Sequence, residues 1–226
     1  MFTPDDLTAL FLTLKLAFIT TLILLILGTP LAWFLARSRW RYKFFLEALV
    51  ALPLVLPPTV LGFYLLLMLG TNGPLGNLMQ FIGAESLAFS FSGLIIGSVF
   101  YSMPFVIQPL QDAFNNIGQR PLEAAATLGA SPLDRFITVA LPLARQGFLT
   151  ALVLGFAHTL GEFGVVLMIG GNIPGETKVL SIAIYEHVEA LEYANAHLLS
   201  ASLVLLSFLM LIAVYALNGR FKIIRL

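Results

Sequence analysis

The chain has no cysteine, which excludes disulfides, thiolate metal sites and cysteine nucleophiles without fixing a compartment. It also has little charge: 11% of its 226 residues are Asp, Glu, Lys or Arg and 59% are hydrophobic, where a soluble domain carries roughly 25% charged residues. Twelve cations and twelve anions cancel, leaving no basic surface for nucleic acid and no net field to select a partner. Catalytic signatures are missing as well. Neither HExxH nor GxSxG occurs, so intramembrane proteolysis has no support, and no GxxxxGK(S/T) loop is present to cradle ATP phosphates. Any ATP used by this protein is therefore expected to be hydrolysed on another chain, and neither a catalytic residue nor a metal site is expected here. The start, MFTPDD, lacks the basic region and small-residue cleavage site of a signal peptide, so the first apolar run is expected to be retained.

What the chain does have is apolar length. Mean hydropathy is +0.95, and about 20 apolar residues are needed to cross about 30 Å of hydrocarbon. Five runs qualify: Leu7 to Ala36, Ala48 to Leu69, Leu87 to Gln111, Leu143 to Ile169 and Leu198 to Leu217. The expected fold is an all-α, polytopic membrane bundle of about five transmembrane helices in a single domain, residues 1–226. Arg37, Arg39, Arg41, Lys43, Arg120, Arg135, Arg145, Arg220, Lys222 and Arg225 fall on one side of these runs, with Lys178 and the boundary residue Lys15 on the other. The positive-inside tendency makes the first group cytoplasmic. The amino terminus is then outside and the carboxyl terminus inside.

Two runs carry polar or helix-breaking residues. Ala48 to Leu69 contains Pro53, Pro57 and Pro58, which remove backbone donors and bend a helix, and Thr59 and Gly62 follow the break. Broken helices at membrane depth line cavities, so Pro57, Pro58, Thr59 and Gly62 are candidates for the translocation path; a simple packing kink is the blander alternative. The fourth run holds HTLGEFG. His158 and Glu162, four apart, are expected to share a helix face as a polar pair or part of a polar lining, and an ionisable group in a span is a functional candidate by default. Gly93 and Gly97 form a GxxxG pair suited to close helix approach, within or between subunits. Outside the spans, Gly70 to Ser86 reads as a turn-rich loop. Residues 178–193, with Glu186, Glu189 and Glu192 at helical spacing, read as an amphipathic outer helix, either solvated or docking an extracytoplasmic partner.

The most specific stretch is PLEAAATLGASPLDRFITVALP, Pro121 to Pro142. Pro121 suits a first helical turn, Glu123 complements its positive end, and Gly129 permits a left-handed stop. Ser131 caps a second helix that opens with Pro132, and Pro142 marks where the next apolar run begins. Glu123, Ala124, Ala125, Gly129, Val139, Leu141 and Pro142 resemble the EAA signature of the membrane subunits of bacterial ATP-driven importers, with Val139 where the pattern has Ile. The stretches PLVLPPTVLGFYLL and HTLGEFGVVLMIGGNIPGETKVLSIAIYEHVEAL extend the similarity, over nearly the whole chain, to molybdate importer permeases.

The resemblance implies a type I importer permease fold in the bacterial inner membrane and a cytoplasmic coupling hairpin, residues 121–142, that fits a groove on an ATPase. It implies two copies of that ATP-binding subunit carrying ATP and magnesium, a second copy of this permease, and an extracytoplasmic oxyanion-binding protein, all in lipid. The expected cargo is molybdate, with sulfate or tungstate as runners-up. A secondary transporter is the alternative class, for which a repeated half and a mid-membrane coupling site are expected.

Overall fold

The computed structural model describes residues 3–83 and 85–223. Arg225 falls outside them, as do the side chains of Arg220 and Lys222. Every element among the described residues is helical. α1 (Pro4–Arg37) opens on a capping box: the Asp6 N–H donates to Thr3 Oγ1 and the Thr3 N–H to the Asp6 carboxylate, 3.1 and 2.9 Å. Asp5 and Asp6 lie in its first turn and Arg37 in its last, each complementing the helix dipole. Its 34 residues rise about 51 Å at about 1.5 Å each, longer than the hydrocarbon is thick, so α1 extends beyond it or tilts.

The second run is broken, as its prolines demand. α2 (Lys43–Ala51) passes into a 3-10 turn at Leu52–Leu54, and α3 (Pro58–Leu69) restarts with Pro57 as its cap and Pro58 in its first turn. The expected loop at Gly70 to Ser86 instead contains a helix, α4 (Pro74–Phe81), because Pro74 starts a turn after Gly73 and Leu75 packs with Leu65 and Leu69. α5 (Phe91–Asn116) is capped by Ser90 and keeps Pro104 and Pro109 inside it.

A hairpin follows: α6 (Arg120–Thr127), α7 (Pro132–Arg135), a π-helical turn over Phe136–Ala140, and α8 (Leu141–Leu143). Pro142 does not mark the start of the next segment, as expected, but sits within this continuous path. It has no N–H for the regular ladder, and the wider turn accommodates the gap, with the Leu141 N–H reaching back five residues to the Phe136 carbonyl.

The chain then bends by 69° into α9 (Arg145–Leu160). α9 ends at Leu160, and α10 (Gly164–Gly170) begins after a break. α11 (Leu180–Glu189) lies outside the spans with Leu180, Ile182 and Ala183 buried, and α12 (Tyr193–Ile223) closes the bundle. Among the described residues four helices are long and apolar enough to cross a bilayer, and the bent pair ending in α9 makes up to five.

The centre is a three-helix core of α1, α5 and α9, allowed by small residues. A Cβ on Gly28 would meet Ile107 at 3.1 Å, and one on Gly155 would meet Val106 at 2.5 Å. Leu24, Leu35, Val106, Ile107, Leu110, Phe114 and Ala151 fill the interior. Gly97 of the GxxxG pair packs within the chain, its Cα facing Ile169 and Val165 of α10.

Candidate functional site

Two regions carry the candidate residues. The first is the hairpin. Gly129 has φ +86°, the left-handed conformation expected of it, and its N–H donates to the Ala126 carbonyl while that of Ala130 donates to Ala125. Ser131 and Asp134 form a full capping box: the Asp134 N–H donates to Ser131 Oγ and the Ser131 N–H to the Asp134 carboxylate, both at 3.2 Å. Pro121 occupies the second position of α6, one residue inside the expected start.

Glu123, Ala124 and Gly129 are exposed, as is Pro142, while Ala125, Val139 and Leu141 are half-buried. Leu128, Leu133 and Ile137 also face outward, 89, 65 and 51% exposed. Three uncovered aliphatic side chains on a polar hairpin form a surface suited to a protein partner.

The hairpin is tied to the spans by an aromatic cluster that the sequence reading missed. Phe136 meets Trp33 of α1 at 5.1 Å, Trp33 meets Phe114 of α5 at 5.2 Å, and Phe114 meets Phe148 of α9 at 6.1 Å. Arg37 spans the same cluster, its guanidinium 5.1 Å from the Trp33 ring and Nη2 donating to the Phe114 carbonyl at 2.9 Å. The available signal was one aromatic near the same end of each of four segments.

The second region is a cavity of about 460 Å³ lined by Pro58 and Thr59 from the start of α3, Tyr101 from α5, His158 from α9, and Glu162 with its neighbours in the break before α10. It brings together residues from the two separate candidate groups. Gly62 lies instead at the α3–α10 contact, where a Cβ would meet Met168 at 2.7 Å, and Pro57 caps α3.

His158 and Glu162 do not share a helix face, because α9 stops between them. Glycines at 161 and 164 flank the break, and Gly164 lets Pro58 approach so closely that a Cβ there would lie 2.8 Å from the proline ring. His158 Nδ1 is 2.9 Å from Ser102 Oγ, which is 2.9 Å from Thr159 Oγ1. Its ring is stacked on Phe105 at 3.8 Å. Glu162 is 3% exposed. Tyr101 was the overlooked wall residue; Ser98, Tyr101 and Ser102 at helical spacing form the polar stripe that would have shown it.

No group of three or more His, Asp or Glu able to hold a metal occurs among the described residues.

Helices broken beside a cavity that holds His158 and Glu162, with an exposed helical hairpin between the third and fourth spans, define the permease fold of type I ABC importers. The fold matches the solved structure of a bacterial ABC transporter involved in the import of the acidic polysaccharide alginate, at TM-score 0.76 and 19% identity over 98% of this chain and 80% of that one. The chain belongs to the family of binding-protein-dependent transport system inner membrane components, which matches residues 28–223, and it is a multi-pass membrane protein. It is 62% identical over 217 residues to the molybdenum transport system permease protein ModB of Azotobacter vinelandii, covering 96% of each chain. It is 34% identical over 213 residues to a probable sulfate transport system permease protein of Chlorella vulgaris, covering 94% of this chain and 80% of that one.

Proposed function

We propose that this chain is the permease subunit of an ATP-driven importer that carries molybdate across the cytoplasmic membrane. The observation that carries the cargo is the 62% identity to a molybdenum permease over nearly the full length of both chains, against 34% to a sulfate permease. The chain works as a homodimer with two ATP-binding subunits, which hold the ATP and magnesium, and receives the oxyanion from an extracytoplasmic binding protein. It has no catalytic residue of its own. Its single domain, residues 1–226, sits with the amino terminus outside and the carboxyl terminus in the cytoplasm.

The hairpin residues Glu123, Ala124, Ala125, Gly129, Val139, Leu141 and Pro142 form the ATPase-coupling surface, supported by the outward-facing Leu128, Leu133 and Ile137. Movement there reaches the spans through Phe136, Trp33 and Phe114. The cavity at Pro58, Thr59, Tyr101, His158 and Glu162 lies on the translocation path, with Pro57 and Gly62 holding α3 in place beside it.

The oxyanion crosses without a fixed cationic ligand. Lys15, the cation furthest inside a span, lies 4.5 Å over the ring of Phe91, the first residue of α5, and so sits at the outer rim. A buried cation would hold a dianion too tightly for release.

The test is uptake of labelled molybdate by vesicles containing the permease, its ATPase and its binding protein, with ion gradients collapsed. ATP-dependent uptake that excess sulfate does not suppress is expected. Uptake driven by an ion gradient without ATP would show a secondary transporter instead.

A further inference from the structure

Glu162 has its backbone fixed and its side chain free. Ser181 Oγ donates to the Glu162 carbonyl at 2.6 Å, yet neither carboxylate oxygen has a hydrogen-bond partner among the described residues. The Ser98 hydroxyl, likewise without a regular hydrogen bond among the described residues, is the polar group that approaches it from α5. A desolvated carboxylate without a counter-ion is unfavourable, and no Lys or Arg lines the cavity.

The hydrogen-bond chain on the opposite wall assigns the imidazole protons. Thr159 donates its single hydroxyl proton to the Gly155 carbonyl at 3.0 Å. Ser102 must then donate to Thr159 Oγ1 and accept from His158 Nδ1. The neutral ring therefore carries its proton on Nδ1, which leaves Nε2 as the lone-pair acceptor.

Two bases thus line one small cavity whose remaining wall is mostly apolar: Pro58, Phe163, Leu167 and Met168. A hard metal cation takes about six or more oxygen ligands, which this wall does not offer. A proton needs only two acceptors. We propose that Glu162 and His158 take up one exchangeable proton as a unit, shared between the carboxyl group and the imidazole, and that this proton cancels the carboxylate's charge, and with it the repulsion of the oxyanion, as the oxyanion passes.

The proton is exchanged with solvent water, and no covalent bond changes. The proposal rests on the reading of this cavity as part of the translocation path. The other titratable groups near the pair are few: the Tyr101 phenol on α5, 4.6 Å from the His158 ring, and Tyr185 of α11, 5.1 Å from Phe163. α3 contributes only the Thr59 hydroxyl, and Lys15 of α1 is engaged with Phe91.

The test is an infrared difference titration of the purified permease–ATPase complex in H₂O and D₂O, paired with a pH profile of molybdate uptake. In the parent, a carboxyl band and an imidazole band should change together. Glu162→Gln should remove the first and displace the second, and His158→Gln should displace the carboxyl titration. Parental uptake should fall with rising pH by up to about tenfold per unit, whereas Glu162→Gln should give a flat profile and His158→Gln one displaced along with its carboxyl band. A carboxyl band that ignores pH, or an imidazole titration untouched by Glu162→Gln, overturns the shared proton. Coupled bands with an uptake profile unchanged in both variants would instead overturn the placement of the cavity on the path, and with it the proton's role in passage.

Discussion

Phe136, at the start of the π-helical turn, lies 5.1 Å from Trp33 near the end of α1, edge against face. Because Trp33 also meets Phe114, this pair joins the hairpin to the bundle, and the proposed coupling would pass through it. Phe136→Ala should lower thermal stability by about 3 kcal/mol or more, as aromatic truncations do, and should reduce molybdate uptake per ATP hydrolysed. Phe136→Leu should lie between. A thermal melt and the ratio of uptake to hydrolysis check this, and an unchanged ratio in Phe136→Ala would remove the cluster from the coupling route.

The contact between α3 and α10 depends on two missing side chains. A Cβ on Gly62 would lie 2.7 Å from the Met168 Cβ, and one on Gly164 would lie 2.8 Å from that of Pro58. Each contact joins atoms close to the backbone, so little can yield. Gly62→Val and Gly164→Ala should each cost about 1 to 3 kcal/mol through overpacking, read as a lower melting temperature, and should slow uptake by moving the cavity wall at Pro58.

At the opposite end, His187 of α11 joins three segments. Its Nε2 is 3.1 Å from Asp6 at the start of α1, and Nδ1 is 2.8 Å from Glu192 before α12. The bond to Asp6, and after it that to Glu192, holds the imidazole above its ordinary 6.5. A group raised on folding stabilises fully below its unfolded value and loses that contribution as pH rises through the folded one. The melting-temperature gap between the parent and His187→Gln should therefore be widest near pH 6 and shrink as pH rises above 6.5 and through the raised folded value. A gap that widens with pH would contradict this clamp.

The proposed orientation places Arg41 in the cytoplasm. A single cysteine at this exposed position should react with a membrane-impermeant reagent only in inverted vesicles. Labelling in intact cells would reverse the topology.

Much of this was legible in the sequence because membrane solvent allows few solutions. Apolar runs of sufficient length had to be helices, the three prolines before Thr59 had to break one, and Gly129 and Ser131 fixed a stop and a start whose chemistry is local. What was not legible depended on distant partners. The helix at Pro74–Phe81 needed Leu75 to find Leu65 and Leu69, and the break at Glu162 needed Pro58 to approach Gly164. Tyr101 and the Trp33 cluster looked like ordinary span residues until the helices were brought together. His158 and Glu162 do not lie along one helix face, as their spacing suggests, but line one cavity from either side of the break after Leu160.

The central claim is that the hairpin converts ATP hydrolysis on another chain into molybdate passage through this one. Gly129 tests it most directly, because its φ of +86° strains any ordinary side chain by about 1 to 2 kcal/mol, while no atom lies within 4 Å to obstruct one. A side chain there would disturb only the turn and whatever docks on it. The measurement is ATP hydrolysis and molybdate uptake in the same vesicles for the parent and Gly129→Asp, with membrane insertion verified. The account predicts normal insertion and at least a tenfold loss of uptake per ATP hydrolysed, about 1.4 kcal/mol or more of coupling. Normal insertion with uptake at the parental rate would contradict it.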